Sequence, residues 1–135
     1  MDAQFDGSEE EAPRLSDGET YAFENLREGR IEEAVGGIRA AGDEYTQAIP
    51  HLEAILNSAG YDHLGRQDYP GAIALFRLNV DLFPGSANVY DSLGEAFMLD
   101  GQRELAIRNY RRSLDLNPAN ANAEEKLQEL RASRV

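Results

Sequence analysis

Ser58, Asp62 and His63 are the residues of this 135-residue chain whose types come nearest to a nucleophile, an orienting acid and a base. Their spacing works against that use. Ser58 and His63 lie five apart on one predicted helix, which separates them by about 140° around its axis. The expected role of His63 is therefore a histidine bonded within the fold. His51 follows Pro50 at a helix start, with no second histidine or paired carboxylate at ligand spacing, so zinc is not expected. Glu9-Glu10-Glu11 and Glu32-Glu33 offer oxygen ligands to calcium but lack the EF-hand loop pattern, and read as solvated faces. There is no G-x-G-x-x-G, Walker loop or G-x-S-x-G elbow, and no S-x-x-K, since Ala123 stands three before Lys126. The absence of cysteine excludes thiolate zinc sites, cysteine nucleophiles and disulfides. No catalytic residue, metal or cofactor is expected.

Composition narrows the partners. Acidic residues outnumber basic ones 25 to 13, for a net charge of −12. Such a chain repels phosphate backbones and anionic lipid, so nucleic acid and membrane are not expected partners. The apolar runs are too short to span a bilayer. No signal peptide is visible, and the expected location is cytoplasmic, or periplasmic for a fragment of an exported protein. With 41% hydrophobic and 28% charged residues, the chain suits an elongated fold with a thin core. Charge is uneven: Met1 to Pro50 holds 13 acidic and 4 basic residues. The stretch from Met1 to Ser16 is acidic and without apolar period, and reads as a disordered lead-in.

A repeat organises the rest. Set against itself at a shift of 34, the sequence brings Gly60 onto Gly94, Ala72 onto Ala106, Ile73 onto Ile107, Asp81 onto Asp115 and Pro84 onto Pro118. Leu56 falls on Tyr90, Ala59 on Leu93, Leu64 on Met98, Phe76 on Tyr110 and Leu82 on Leu116. Each unit reads as two helices. Asp68 caps a helix with Pro70 in its first turn. Ala72/Ile73, Phe76 and Val80 make its apolar stripe, and Pro84-Gly85 ends it. Ser86 starts the next helix, whose Val89/Tyr90, Leu93 and Phe97 share a face. After Gly101, Leu105/Ala106, Tyr110 and Leu114 form the partner stripe. The small residues Gly60, Gly94, Ala72 and Ala106 fall where stripes meet, with the tightest crossing expected at Gly94 beside Ala106.

The pattern Tyr90, Leu93-Gly94, Phe97, Ala106, Tyr110, Pro118 resembles the tetratricopeptide repeat, a 34-residue helix–turn–helix unit. The preceding unit reads Leu56, Ala59-Gly60, His63, Ala72, Phe76, Pro84, and departs at Leu56 and His63, where the pattern prefers aromatics. Gly29 to Ala34 is similar to the inter-helix turn of an earlier, degenerate unit. There Ala34, Val35 and Ile38 match Ala72, Ile73 and Phe76 at a shift of 38 rather than 34. The resemblance implies an all-α solenoid. Its parts are a lead-in at 1–16, a degenerate helical pair at 17–48, two repeats at 49–120, and a capping helix and tail at 121–135. Expected helices are 17–28, with a capping box from Ser16 to Glu19, then 30–41, 50–65, 69–82, 87–100, 103–116 and 121–132. The final helix would bury Ala123, Leu127 and Leu130 and turn a charged side outward, closing the stack. The wording of 56–61, 76–80 and 86–96 also resembles the tetratricopeptide tail of bacterial serine β-lactamase-like hydrolases and esterases. That would make this chain a structural or weakly self-associating tail of a parent hydrolase.

The resemblance implies a binding surface on the concave side, lined by the first helix of each pair. Off the packing stripe, the residues facing it are Asn57, Tyr61 and Leu64/Gly65 in one repeat, and Asn88, Asp91, Glu95 and Met98 in the next. Repeats of this family that hold the carboxylate ends of heat-shock chaperones use lysine, arginine and asparagine there. Asp91 and Glu95 supply the opposite charge, so a carboxylate clamp is disfavoured. The expected function is non-catalytic binding of a basic or neutral peptide, with Tyr61, Leu64 and Met98 taking an apolar anchor.

Overall fold

The computed structural model describes residues 24–41, 49 and 51–133. The expected lead-in, and the capping box at 16–19, lie outside those residues. The chain divides into two compact units, Met1–Ala41 and Gly42–Val135.

In the first unit, residues 24–27 are helical and turn into α1 (Ile31–Ala41). Gly29 takes φ +84° in the turn, a left-handed conformation that costs glycine no Cβ clash. Arg30 closes it, bonding Asn25 through both side chain and backbone. Along α1, Ile31, Ala34 and Ile38 are buried on one face. Glu32 and Glu33 stand in its first turn and Arg39 in its last, each favourable to the helix dipole.

Among its described residues the second unit has five helices: α2 (Leu52–Gly65), α3 (Tyr69–Leu82), α4 (Ala87–Leu99), α5 (Arg103–Leu116) and α6 (Ala121–Ala132). No strand occurs among the described residues. α2 packs on α3 and α4 on α5 as two hairpins, α3 joins them by packing on α4, and α6 covers α5. The expected boundaries of these helices hold closely. The largest difference is at α2, which begins at Leu52 rather than 50, because His51 just ahead of it has φ +64°.

Local chemistry explains the ends. Asp68 caps α3 by accepting from the Gly71 N–H at 3.1 Å, with proline in the first turn. Asn120 caps α6 by accepting from the Ala123 N–H at 3.2 Å. Ser86 precedes α4 but makes no cap bond; its hydroxyl donates instead to Glu53 Oε2 at 2.6 Å, tying α4 to α2. Residues 67 and 101, one repeat apart, both turn left-handed, with φ +64° at Gln67 and +80° at Gly101.

Phe76, Leu93, Phe97, Ala106, Tyr110 and Leu127 centre one continuous core. Glycine sets how closely the helices approach. A Cβ at Gly94 would stand 3.1–3.2 Å from the Tyr110 ring, whereas one at Gly60 would overlap the Phe76 ring outright. The tightest crossing is therefore at Gly60, not at Gly94. Tyr61 packs edge-on to Phe76 at 5.1 Å between centroids, which holds that ring against α2. The backbone is also stitched at the repeat spacing. Asn79 Nδ2 donates to the Glu53 carbonyl at 2.9 Å, and Ser113 Oγ, one repeat on, donates to the Ala87 carbonyl at 2.8 Å.

Candidate functional site

The nucleophile–acid–base reading fails on geometry. His63 is buried and its Nδ1 lies 2.8 Å from Asp68 Oδ2. An ionised carboxylate only accepts, so the ring proton faces it from Nδ1. Asp62 is taken by Arg66 at 2.6 Å, and Ser58 is exposed. His63 thus ties the end of α2 to the cap of α3. Its bond, with the one from Gly71, holds the Asp68 carboxyl below the ordinary carboxylate range. Among the described residues no group of three histidines or carboxylates converges on a metal position.

The first helices, α2 and α4, and the capping helix α6 instead share a polar face. Ser92 Oγ donates to Asn57 Oδ1 at 2.6 Å, and Tyr61 Oη donates to Glu95 Oε1 at 2.8 Å, both between α2 and α4. Asp91 of α4 accepts from Asn120 Nδ2 and from Asn122 Nδ2, each at 2.8 Å, linking α4 to α6. Asn88 is exposed, while Asp91, Glu95 and Met98 are half-buried. Leu64 is only 7% exposed and packs in the core, so it presents no anchor surface. Gly65 is exposed. Met98 borders a cavity of about 360 Å³ with Gly101, Arg103, Glu129, Leu130 and Ser133.

Beneath this face the Tyr110 side chain is fully buried and its hydroxyl has no hydrogen-bond partner. Burial pushes the phenol well above its ordinary pKa, helped by the charges of Asp91 and Glu95. Burial also raises Tyr61, whose bond to Glu95 favours the protonated phenol.

No protein-family model matches the chain, and no curated protein matches it by sequence. Solved structures do match. The first TPR domain of RPAP3 ("Spaghetti"), bound to the HSP90 peptide SRMEEVD, superposes with a TM-score of 0.59 at 20% identity, over 86% of this chain and 89% of that one. A point mutant of MamA gives 0.61 at 18% identity, covering 85% and 81% of the two chains. A mutant O-GlcNAc transferase of Thermobaculum terrenum gives 0.57 at 23% identity, with 87% of this chain on 23% of that one. The fold is a tetratricopeptide-repeat solenoid. Within the solenoid, Asn57, Tyr61, Asn88, Asp91, Glu95 and Met98 belong to the first helices, as their spacing predicts. Residue type points to Asn120 only as a helix cap and to Glu129 only as part of the charged outer side of the last helix, and singles out neither Asn122 nor the Tyr110 hydroxyl, because a closing helix is expected to cover the stack rather than to bond to the first helices. The repeat shift, extended once more, is the signal for two of them, since it carries Asn88 to Asn122 and Glu95 to Glu129.

Proposed function

We propose that the shared face of α2, α4 and α6 is a concave groove that binds a peptide or protein segment without catalysing a reaction. One observation carries this reading: polar side chains of successive first helices are bonded into a single surface, through Asn57–Ser92, Tyr61–Glu95 and Asp91–Asn122. Cross-linked side chains lose little further freedom on binding, and that lowers the cost of association. The RPAP3 domain, of similar fold, holds an HSP90 peptide. The present groove differs in sign from a site for an acidic tail. Asp91 and Glu95 stand on it as acceptors, so the favoured occupant is basic or neutral, with an apolar residue entering the cavity beside Met98 and Leu130.

Among the described residues no helix is long and apolar enough to cross a membrane. The reading as a structural tail of a larger hydrolase rests on the wording of the repeats, and an upstream catalytic domain in the full gene would support it. The test of the groove is a chemical-shift map of the chain titrated with a basic, leucine-containing peptide. Perturbations should follow Asn57, Asn88, Asp91 and Met98; a footprint confined to the outer faces of α3 and α5 would overturn the assignment.

A further inference from the structure

Tyr61, Glu95 and Glu129 are one row, a single position recurring at the repeat spacing on α2, α4 and α6. Between α2 and α4 the row is closed, because Tyr61 donates to Glu95 at 2.8 Å. At the step from α4 to α6 the same repeat position carries a carboxylate on both helices. The layer below differs in the same sense. Phe76 lies under the closed step, where no polar atom is needed, and Tyr110, its counterpart one repeat on, lies under the open one. The Tyr110 ring packs on Gly94, with Asp91 and Glu95, one helical turn apart, to either side of that glycine in the chain. Asp91, Glu95 and Glu129 all act on its hydroxyl by their charge, and it has no partner of its own. A buried polar atom left unmatched is unfavourable and calls for an explanation.

Local cations do not supply one. Lys126 makes a long ion pair with Glu129 at 3.7 Å on the same helix, and Arg103 is engaged by the Leu130 carbonyl at 2.9 Å and by Glu104 at 2.7 Å. Asp91 is held by two neutral amides, which leave its charge intact.

We infer that the α4–α6 step is a subsite for an arginine side chain of the bound segment, bridging Glu95 and Glu129 while the Tyr110 hydroxyl oxygen accepts one of its N–H groups. This deepens the groove reading and rests on it. A guanidinium suits the place because its planar fork serves two carboxylates at once and still has a donor to spare. The Tyr110 oxygen is reached when Glu95 or Glu129 swings towards the guest. The subsite adjoins the cavity bordered by Met98 and Leu130, to which Glu129 also belongs, so an apolar residue next to the arginine would enter it.

The probe is N-acetyl-arginine methylamide, titrated into the full chain by NMR beside its neutral citrulline analogue. Saturable shifts at Glu95, Glu129 and the Tyr110 ring are expected for arginine and not for citrulline. Glu129→Gln should weaken the probe at least fivefold, and Glu124→Gln on the outer side of α6 should leave it unchanged. Tyr110→Phe should weaken it about threefold while the melting temperature holds or rises, since an unmatched hydroxyl is removed. Equal shifts from arginine and citrulline, or full affinity in Tyr110→Phe, would overturn the subsite. If basic peptides bind the groove but Glu129 and Tyr110 variants bind them as well as the wild type, the subsite fails and the groove stands. If the arginine probe binds as described and no peptide does, the groove reading fails and the step is a site for a free guanidinium, which overturns its role in holding a bound segment.

Discussion

The two repeats fold alike and solve the same positions with different chemistry. Where the second repeat has Phe97 in the core beneath the Arg77 guanidinium, at 5.4 Å, the first has His63 bonded to Asp68. Where the second turns at Gly101, the first turns at Gln67 with a φ of the same left-handed kind. Where the second packs Tyr110 on Gly94 with tight contact, the first presses Phe76 against Gly60. The positions that resist change are those of backbone approach and hydrogen-bond geometry. Side-chain identity is free wherever another group supplies the same partner, as Asn79 and Ser113 do for the carbonyls of Glu53 and Ala87.

The largest contrast should appear at the glycines. Gly60→Ala forces a methyl into the buried Phe76 ring, which Tyr61 holds in place, and should cost about 1–3 kcal/mol. Gly94→Ala needs a shift of only a few tenths of an ångström at Tyr110. The better helix propensity of alanine, up to about 1 kcal/mol, should nearly offset it. Urea denaturation of both variants checks the order; equal losses would show that the two crossings are equivalent after all.

Asp68 distinguishes the first repeat next. Asp68→Ala removes both the α3 cap and the partner of His63, and should cost about 1 kcal/mol or more. Because the folded carboxyl titrates below its ordinary range, its contribution is present above the unfolded value of about 4 and is lost as pH falls through the folded one. Melting temperatures of the wild type should therefore drop more steeply below about pH 4 than those of Asp68→Asn. Parallel curves would show that the His63–Asp68 bond adds nothing to stability.

The smallest effect should be a gain. Gln67→Gly relieves a left-handed residue of its Cβ clash and should stabilise by about 0.5–1 kcal/mol, less than the full strain because glycine loses more entropy on folding. A neutral or negative shift in the denaturation midpoint would mean that Gln67 makes up the strain through contacts.

Much of this is legible in the sequence. The repeat shift locates the helices of the second unit, and the caps at Asp68 and Asn120 are readable from residue type. The failures share a cause. Ser86 looks like a cap by type, but Glu53, which takes its hydroxyl, comes from another helix and is 33 residues away. Leu64 has the spacing of a groove residue, yet tertiary packing draws it into the core. Periodicity assigns a helix face; it does not say which of two adjoining faces a long side chain on the border will join. The site is half visible for the same reason. Tyr61 and Glu95 can be placed on the face, whereas their bond, and the unmatched hydroxyl of Tyr110 below the next step, exist only once the helices are stacked.

Selection of a basic segment by the charge of the inner face is tested most directly by calorimetric titration of the full chain at low and high salt. Two peptides of equal length with the same leucine anchor are compared, one carrying arginines and one carrying glutamates. The basic peptide should bind more tightly at low salt, lose that advantage as salt is raised, and lose affinity in the Asp91→Asn/Glu95→Gln double variant. Tighter binding of the acidic peptide, or unchanged affinity for the basic one in the double variant, would contradict it.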